Sequence, residues 1–202
     1  MNRFPRFLPA FAAALLLTFS ACDSNEPDPI DGGGEAEVIT LVRLSLTPQG
    51  GGAAFTADAT FDEAGVLQNA EMLNLQAGTT YDVAIDLQNT TVTPPESITA
   101  EIRDEEPEAH RFFYVPEGDV ANALAVSGLD TDPNGDPLGL TFSLAVSAGS
   151  EGESGTFRVK LRHYEEDANL PADKQNDTAA APDVPGVVDT DVDVVFPVSI
   201  DD

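Results

Sequence analysis

The chain has 202 residues, with 36 aspartates and glutamates against 9 lysines and arginines and a formal net charge of −27. Such a field repels phosphate backbones and anionic headgroups, which excludes nucleic acid as a partner and electrostatic adhesion to a membrane. The single cysteine, Cys22, excludes a disulfide framework, so the fold has to rest on its core.

The chain opens MNRFPR, with Arg3 and Arg6 as a positive start, and continues into FLPAFAAALLLTF. That run is too short to span a bilayer and has the length of a signal-peptide core. It ends FSAC, small residues directly before Cys22. The pattern resembles a bacterial lipobox, which implies a signal peptide over 1–21 and lipidation of Cys22 as the mature N-terminus. Each buried methylene contributes about 0.8 kcal/mol, so several acyl chains hold a protein on a membrane. The tether that follows, 22–36, is acidic and rich in Pro and Gly, reads as disordered, and reaches about 20 Å as a flexible coil. Acidic residues after the lipidated cysteine resemble a surface-export signal, whereas an aspartate at Asp23 resembles an inner-membrane retention signal in other bacteria. The expected place is the outer membrane, on the cell surface or the periplasmic face.

Residues 37–202 are one domain's worth of chain. Their dominant period is two. YDVAIDLQ sets Tyr81, Val83, Ile85 and Leu87 against Asp82, Asp86 and Gln88, and TFSLAVSA does the same with Phe142, Leu144 and Val146. TFRVKLRH alternates Phe157, Val159 and Leu161 with Arg158, Lys160 and Arg162, and VDTDVDVVFPVSI alternates valines with aspartates up to Ile200. Alternation of this kind marks strands with one wet face. Pro197 cannot donate to a ladder, which predicts an edge or a bulge there. Further strands are expected at 38–48, 53–60, 110–115 and 123–128. The fold class predicted is all-β, an antiparallel immunoglobulin-like β-sandwich of seven to nine strands. One short helix is expected near 96–105, where Ile98 and Ile102 stand four apart behind two prolines. Residues 165–186 lack periodicity and read as a long flexible loop.

DEEPEAHRFFY, 104–114, is the stretch with the most chemistry. His110 shares phase with Phe112 and Tyr114, and His163, the only other histidine, shares phase with Phe157, Val159 and Leu161. Two imidazoles with Glu105, Glu106 or Glu108 would suit Zn(II) or Cu(II). The opposing reading is two hydrogen-bonded histidines closing strand ends. In DTDPNGDPLGL, Asp130, Asp132, Asn134 and Asp136 alternate before and after Gly135 as in the first half of a calcium loop. Thr141 stands where the closing glutamate belongs, and an Asp/Asn/Gly/Pro-rich turn explains the same residues. The acidity also reads as adaptation to salt, since at about 1 M the Debye length is about 3 Å and screens self-repulsion. Carboxylates are then common everywhere and pair by chance. No phosphate loop, dinucleotide fingerprint, Gly-x-Ser-x-Gly elbow or HExxH is present, so no enzyme is expected.

The order of parts resembles a family of small lipoproteins of Bacteroidota and their relatives. The residues that carry the likeness are VITLVRLSLTP, LQAGTTYDVAIDLQN, ESITAEIRDEEPEAHRFFY, DTDPNGDPLGL and a strand ending LRH. The family's forms are similar to T-x-E-I-x-E-E-x-x-E-H-Q-F-F-Y and D-x-D-x-N-G-x-P-L-G-L; Arg111 stands here in place of the glutamine. Members carry no established activity and are often labelled type 1 periplasmic-binding-fold proteins. That label implies two α/β lobes, whereas the alternation above implies a sandwich, and the sandwich is the expectation. Two functions fit. One is a lipid-anchored envelope protein that binds a metal or small ligand for an outer-membrane receptor or transporter. The other is a structural or adhesive sandwich, stiffened by calcium, that binds another protein.

Overall fold

The structure is a computed structural model that describes residues 38–165 and 170–202. Residues 1–37, which include Cys22 and the stretches read as a signal peptide and a tether, lie outside the described residues. In chain order the described elements are β1 (Leu41–Pro48), β2 (Phe55–Phe61), β3 (Leu67–Ala70), β4 (Leu73–Gln76), β5 (Thr80–Asn89), β6 (Glu96–Ser97) and α1 (Ile98–Asp104). Then come β7 (His110–Gly118), a 3-10 turn (Asp119–Asn122), β8 (Leu124–Ser127), β9 (Thr141–Val146), β10 (Ser154–Tyr164), α2 (Leu170–Asn176) and β11 (Val188–Asp201). One sheet runs β3-β2-β1-β5-β9-β8, with β6 added on β5, and the other runs β4-β11-β10-β7. Every pairing is antiparallel except that of β4 with β11.

This is an all-β sandwich, as the alternation predicts, with eleven strands among the described residues instead of seven to nine. The residues that alternate in sequence are those that fill the core. Val42, Leu44 and Leu46 of β1 and Tyr81, Val83, Ile85 and Leu87 of β5 face Phe157, Val159 and Leu161 of β10 and Val192 to Ile200 of β11. Tyr114 and Phe142 meet across the two sheets with ring centroids 3.9 Å apart. Burying side chains of this size contributes about 1.5–3 kcal/mol each, which is what replaces the missing disulfides. Pro197 lies where only β10 flanks β11, because β4 begins pairing one residue later at Val198. Its lost donor therefore faces no strand on that side.

The expected helix is present as α1. Ser97 caps it by accepting from the Ala100 amide at 3.2 Å, and Ile98 and Ile102 are its buried face. Within 165–186, the stretch read as a long flexible loop, α2 forms over Leu170–Asn176. Lys174 is buried on α2, and the following residues cover the outer face of β10, where Arg162 and Tyr164 are buried as well. The physical reason is charge: a segment without apolar period can still bind a sheet whose outer face offers two arginines.

Candidate metal centre

α1 fixes the acidic turn that follows it. Thr99 Oγ1 accepts from the Leu87 amide at 2.6 Å, which ties the helix to β5. The amides of Glu105 and Glu106 both reach back to the Glu101 carbonyl, and the Ala109 amide donates to the Glu106 carbonyl at 3.1 Å. The chain then enters β7 at His110 with its direction set.

β7 and β10 pair so that His110 stands directly opposite His163. Opposite residues of an antiparallel pair share a face, and the two rings stack with centroids 4.5 Å apart and planes at 25°. The His110 side chain is fully buried, while that of His163 is 21 % exposed. His110 Nδ1 lies 3.0 Å from the Glu106 carbonyl oxygen. A carbonyl only accepts, so Nδ1 carries the hydrogen and Nε2 of the neutral ring is a bare lone pair. Nε2 is buried and has no hydrogen-bond partner. The Glu106 carboxylate comes to 4.0 Å from His163 Nε2. Among the described residues, Glu106, His110 and His163 are the group whose ligand atoms lie within 4.8 Å of one another.

One neighbour was not visible in the sequence. β11 slips its register against β10 between Leu161 and Arg162, which pair with Val192 and Thr190 and leave Asp191 as the extra residue. Such a bulge re-aims a side chain. Asp191 Oδ2 ends 3.7 Å from His110 Nε2, and it too is buried without a hydrogen-bond partner. The only sequence sign is Thr190, a polar residue in the apolar phase of its strand. Burial pushes Asp191 up to about 6, opposed by the nearby His163 and helped by the carboxylates of Asp189, Glu106 and Asp183. Burial pushes His110 down to about 4, helped by His163 and Lys174 and opposed by the bond to Glu106. The site therefore holds a neutral imidazole and an unpartnered acid, which is a poor state for an empty pocket and a good one for a cation.

The other expected ligands lie apart. Glu105 is exposed at the end of α1, and Glu108 is half-buried near Lys174. Three of the four residues read as a calcium loop, Asp130, Asp132 and Asp136, use carboxylate oxygens on the protein itself. Asp130 accepts from the amides of Gly139 and Thr141 at 2.8 and 3.2 Å. Asp132 accepts from those of Asn134 and Asp136 at 2.9 and 3.0 Å, and Gln175 donates to Asp136. Asn134 is exposed. The cation in this loop is Lys174, whose Nζ donates to Asp132 Oδ2 at 2.7 Å and to the Pro107 carbonyl at 2.8 Å. Against the burial that would raise it, the Lys174 bond and these amides hold the Asp132 carboxyl below its usual range.

The outer face of β7 and β10 carries a second charge network, also missed. Arg111 and Arg162 are opposite one another. Arg111 donates to the carbonyls of Lys174, Gln175 and Asp177 around the end of α2 and stacks over Phe113 at 4.4 Å. Arg162 pairs with Asp177 at 3.3 Å and Asp183 at 3.4 Å, and Tyr164 donates to Asp177 at 2.8 Å. These contacts hold the α2 segment on the sheet, and neither arginine belongs to the histidine site. No family model, no curated protein and no solved structure matches this chain.

Proposed function

We propose that this is a lipid-anchored protein of the cell envelope that captures a divalent transition-metal ion at the adjoining ends of β7 and β10, with His110, His163 and Glu106 as ligands. The observation that carries the reading is the buried, unpartnered His110 Nε2, with a second imidazole and a carboxylate beside it. The donor set suits Zn(II) and Cu(II). The group also fits by size. Ligand atoms about 2.0–2.1 Å from a tetrahedral ion stand roughly 3.3–3.4 Å apart, so a group already within 4.8 Å needs only modest contraction. The stacked rings cannot both aim lone pairs at one point, and His163, the more exposed ring, turns out of the stack on capture. Anchoring at Cys22 and transfer to an outer-membrane receptor complete the proposal.

Calorimetric titration of Zn(II) and Cu(II) into the full-length protein tests it, at high salt so that diffuse carboxylate binding is screened. One-to-one binding abolished by His110→Ala and by His163→Ala is the expected result. Binding that ignores both substitutions would leave the histidines as strand-end packing. The adhesive reading rests on a different feature: Val66, Leu67 and Met72, around the edge strand β3, are 56 %, 44 % and 50 % exposed.

A further inference from the structure

We infer that Asp191 is the fourth ligand, making a centre of two nitrogen and two oxygen donors built for a divalent ion that enters from the Glu106 side. This rests on the metal reading above and adds a residue, an ion class and a direction to it.

The argument starts from two acceptors that face each other. His110 Nε2 is bare because Nδ1 donates to the Glu106 carbonyl, and Asp191 Oδ2 is a carboxylate oxygen. Both are buried, neither has a hydrogen-bond partner, and 3.7 Å separates them. A shared hydrogen would draw them to roughly 2.7–3.2 Å. Two metal–ligand bonds of about 2.05 Å span 3.7 Å at an angle of roughly 130° and need only slight closure to become tetrahedral. The separation is that of two ligands with an ion between them.

The backbone supports this. Without the bulge, Asp191 would pair with Arg162 and point to the outer face of the sheet. The extra residue interrupts the β10–β11 ladder three pairs from its end, and its effect is to bring one carboxylate to His110. Asp191 stands outside the 4.8 Å group formed by the other three, so it meets the ion from the His110 side.

Charge then selects the ion. Two neutral imidazoles and two carboxylates carry −2, which a divalent ion cancels and a monovalent one leaves half uncompensated in a buried place. Oxygen donors also disfavour Cu(I) relative to Zn(II) and its divalent neighbours. Exposure sets the route. The side chains of His110 and Asp191 are 0 % and 13 % exposed, against 21 % and 38 % for His163 and Glu106. The inner pair is fixed in strands and the outer carboxylate sits on the turn after α1, so an ion arrives and leaves through Glu106.

Co(II) is the probe, followed by its visible absorption on titration into the full-length protein at high salt, with Zn(II) and Ag(I) as competitors. Wild type should give the intense bands of a four-coordinate ion, displaced by Zn(II) and not by Ag(I). Asp191→Asn should weaken Co(II) binding by more than the roughly 10–100-fold that outer-shell partners cost. Asp201→Asn, the same charge change on an exposed side chain at the far end of β11, should leave binding unchanged. If Asp191→Asn binds as wild type while His110→Ala does not bind, Asp191 is no ligand and the three-residue site stands. If wild type itself takes up no Co(II) or Zn(II), the metal reading falls and this inference falls with it. Preferential displacement by Ag(I) would overturn the assignment to a divalent ion.

Discussion

Asp191→Asn removes a proposed ligand, and in the metal-free protein it should nevertheless stabilise the fold. The carboxylate oxygen that faces His110 is buried and unpartnered, and its desolvation is the main reason that the Asp191 carboxyl rises from 3.8 to about 6. At about 1.4 kcal/mol for each pH unit, holding this group ionised costs the fold up to about 3 kcal/mol at neutral pH. Below pH 3.8 the folded and unfolded chains both hold the proton and nothing is lost. Between about 4 and 6 the unfolded chain ionises first, the folded one binds more protons, and wild-type stability falls as pH rises; above 6 the loss is constant. Asparagine has nearly the same shape and never ionises. The gain from Asp191→Asn should therefore be absent below about pH 4, grow between about 4 and 6, and level off at up to about 3 kcal/mol. Urea unfolding of both proteins with a chelator present, from pH 4 to 8, measures it as a shift in midpoint at unchanged slope. His110 titrates in the opposite sense, its contribution being present above 6.5 and lost as pH falls toward about 4, and because it faces Asp191 the comparison is cleanest at pH 7.5, where His110 is neutral in both proteins. A variant less stable than wild type at pH 7.5, or a difference flat across the range, would refute the buried-carboxylate reasoning. Excess Zn(II) should cancel most of this gain, since a ligand at 100 times its Kd adds about 2.7 kcal/mol to the protein that binds it.

Lys174→Ala leaves Asp132 charged and buried without its partner, and should cost about 3–5 kcal/mol unless the α2 segment detaches first; hydrogen exchange in 170–186 distinguishes the two routes, and a loss under 1 kcal/mol would contradict the pairing. Gly155→Ala drives a Cβ to 2.4 Å from the Glu117 carbonyl oxygen and 2.8 Å from Val120, so it should cost about 1–3 kcal/mol and lower Tm by several degrees. Tyr114→Phe removes the donor that reaches the Gly139 carbonyl at 2.6 Å inside the core and should cost about 1–3 kcal/mol by chemical denaturation. Cys22→Ser should move the protein from the membrane fraction to the soluble one on fractionation of cells; retention on the membrane would rule out the lipid anchor.

The sandwich was legible because its strands are long enough to repeat their alternation. Tyr81 to Leu87, Phe157 to Leu161 and Val192 to Ile200 each place three or more apolar residues in one phase, and each proved buried. β3 and β4 were not legible, since LQNA and LNLQ hold too few residues to show a period, although Leu73 and Leu75 are fully buried. The phase of His110 and His163 was readable, but their meeting depends on β7 and β10 being neighbours, with β8 and β9 sent to the other sheet. No local pattern encodes that. Asp191 was hidden for a stronger reason: a bulge changes the face of a side chain without changing the sequence alternation around it. Asp130, Asp132 and Asp136 show what spacing leaves out: the chain's own amides, Lys174 and Gln175 donate to these carboxylates.

The metal centre is tested most directly by growing crystals of the protein with Zn(II) and collecting anomalous diffraction on either side of the zinc edge. The account predicts one strong peak about 2.0–2.2 Å from His110 Nε2 and from the side chains of His163, Glu106 and Asp191. Zinc found only on exposed carboxylates, with the two imidazoles still stacked 4.5 Å apart, would contradict it.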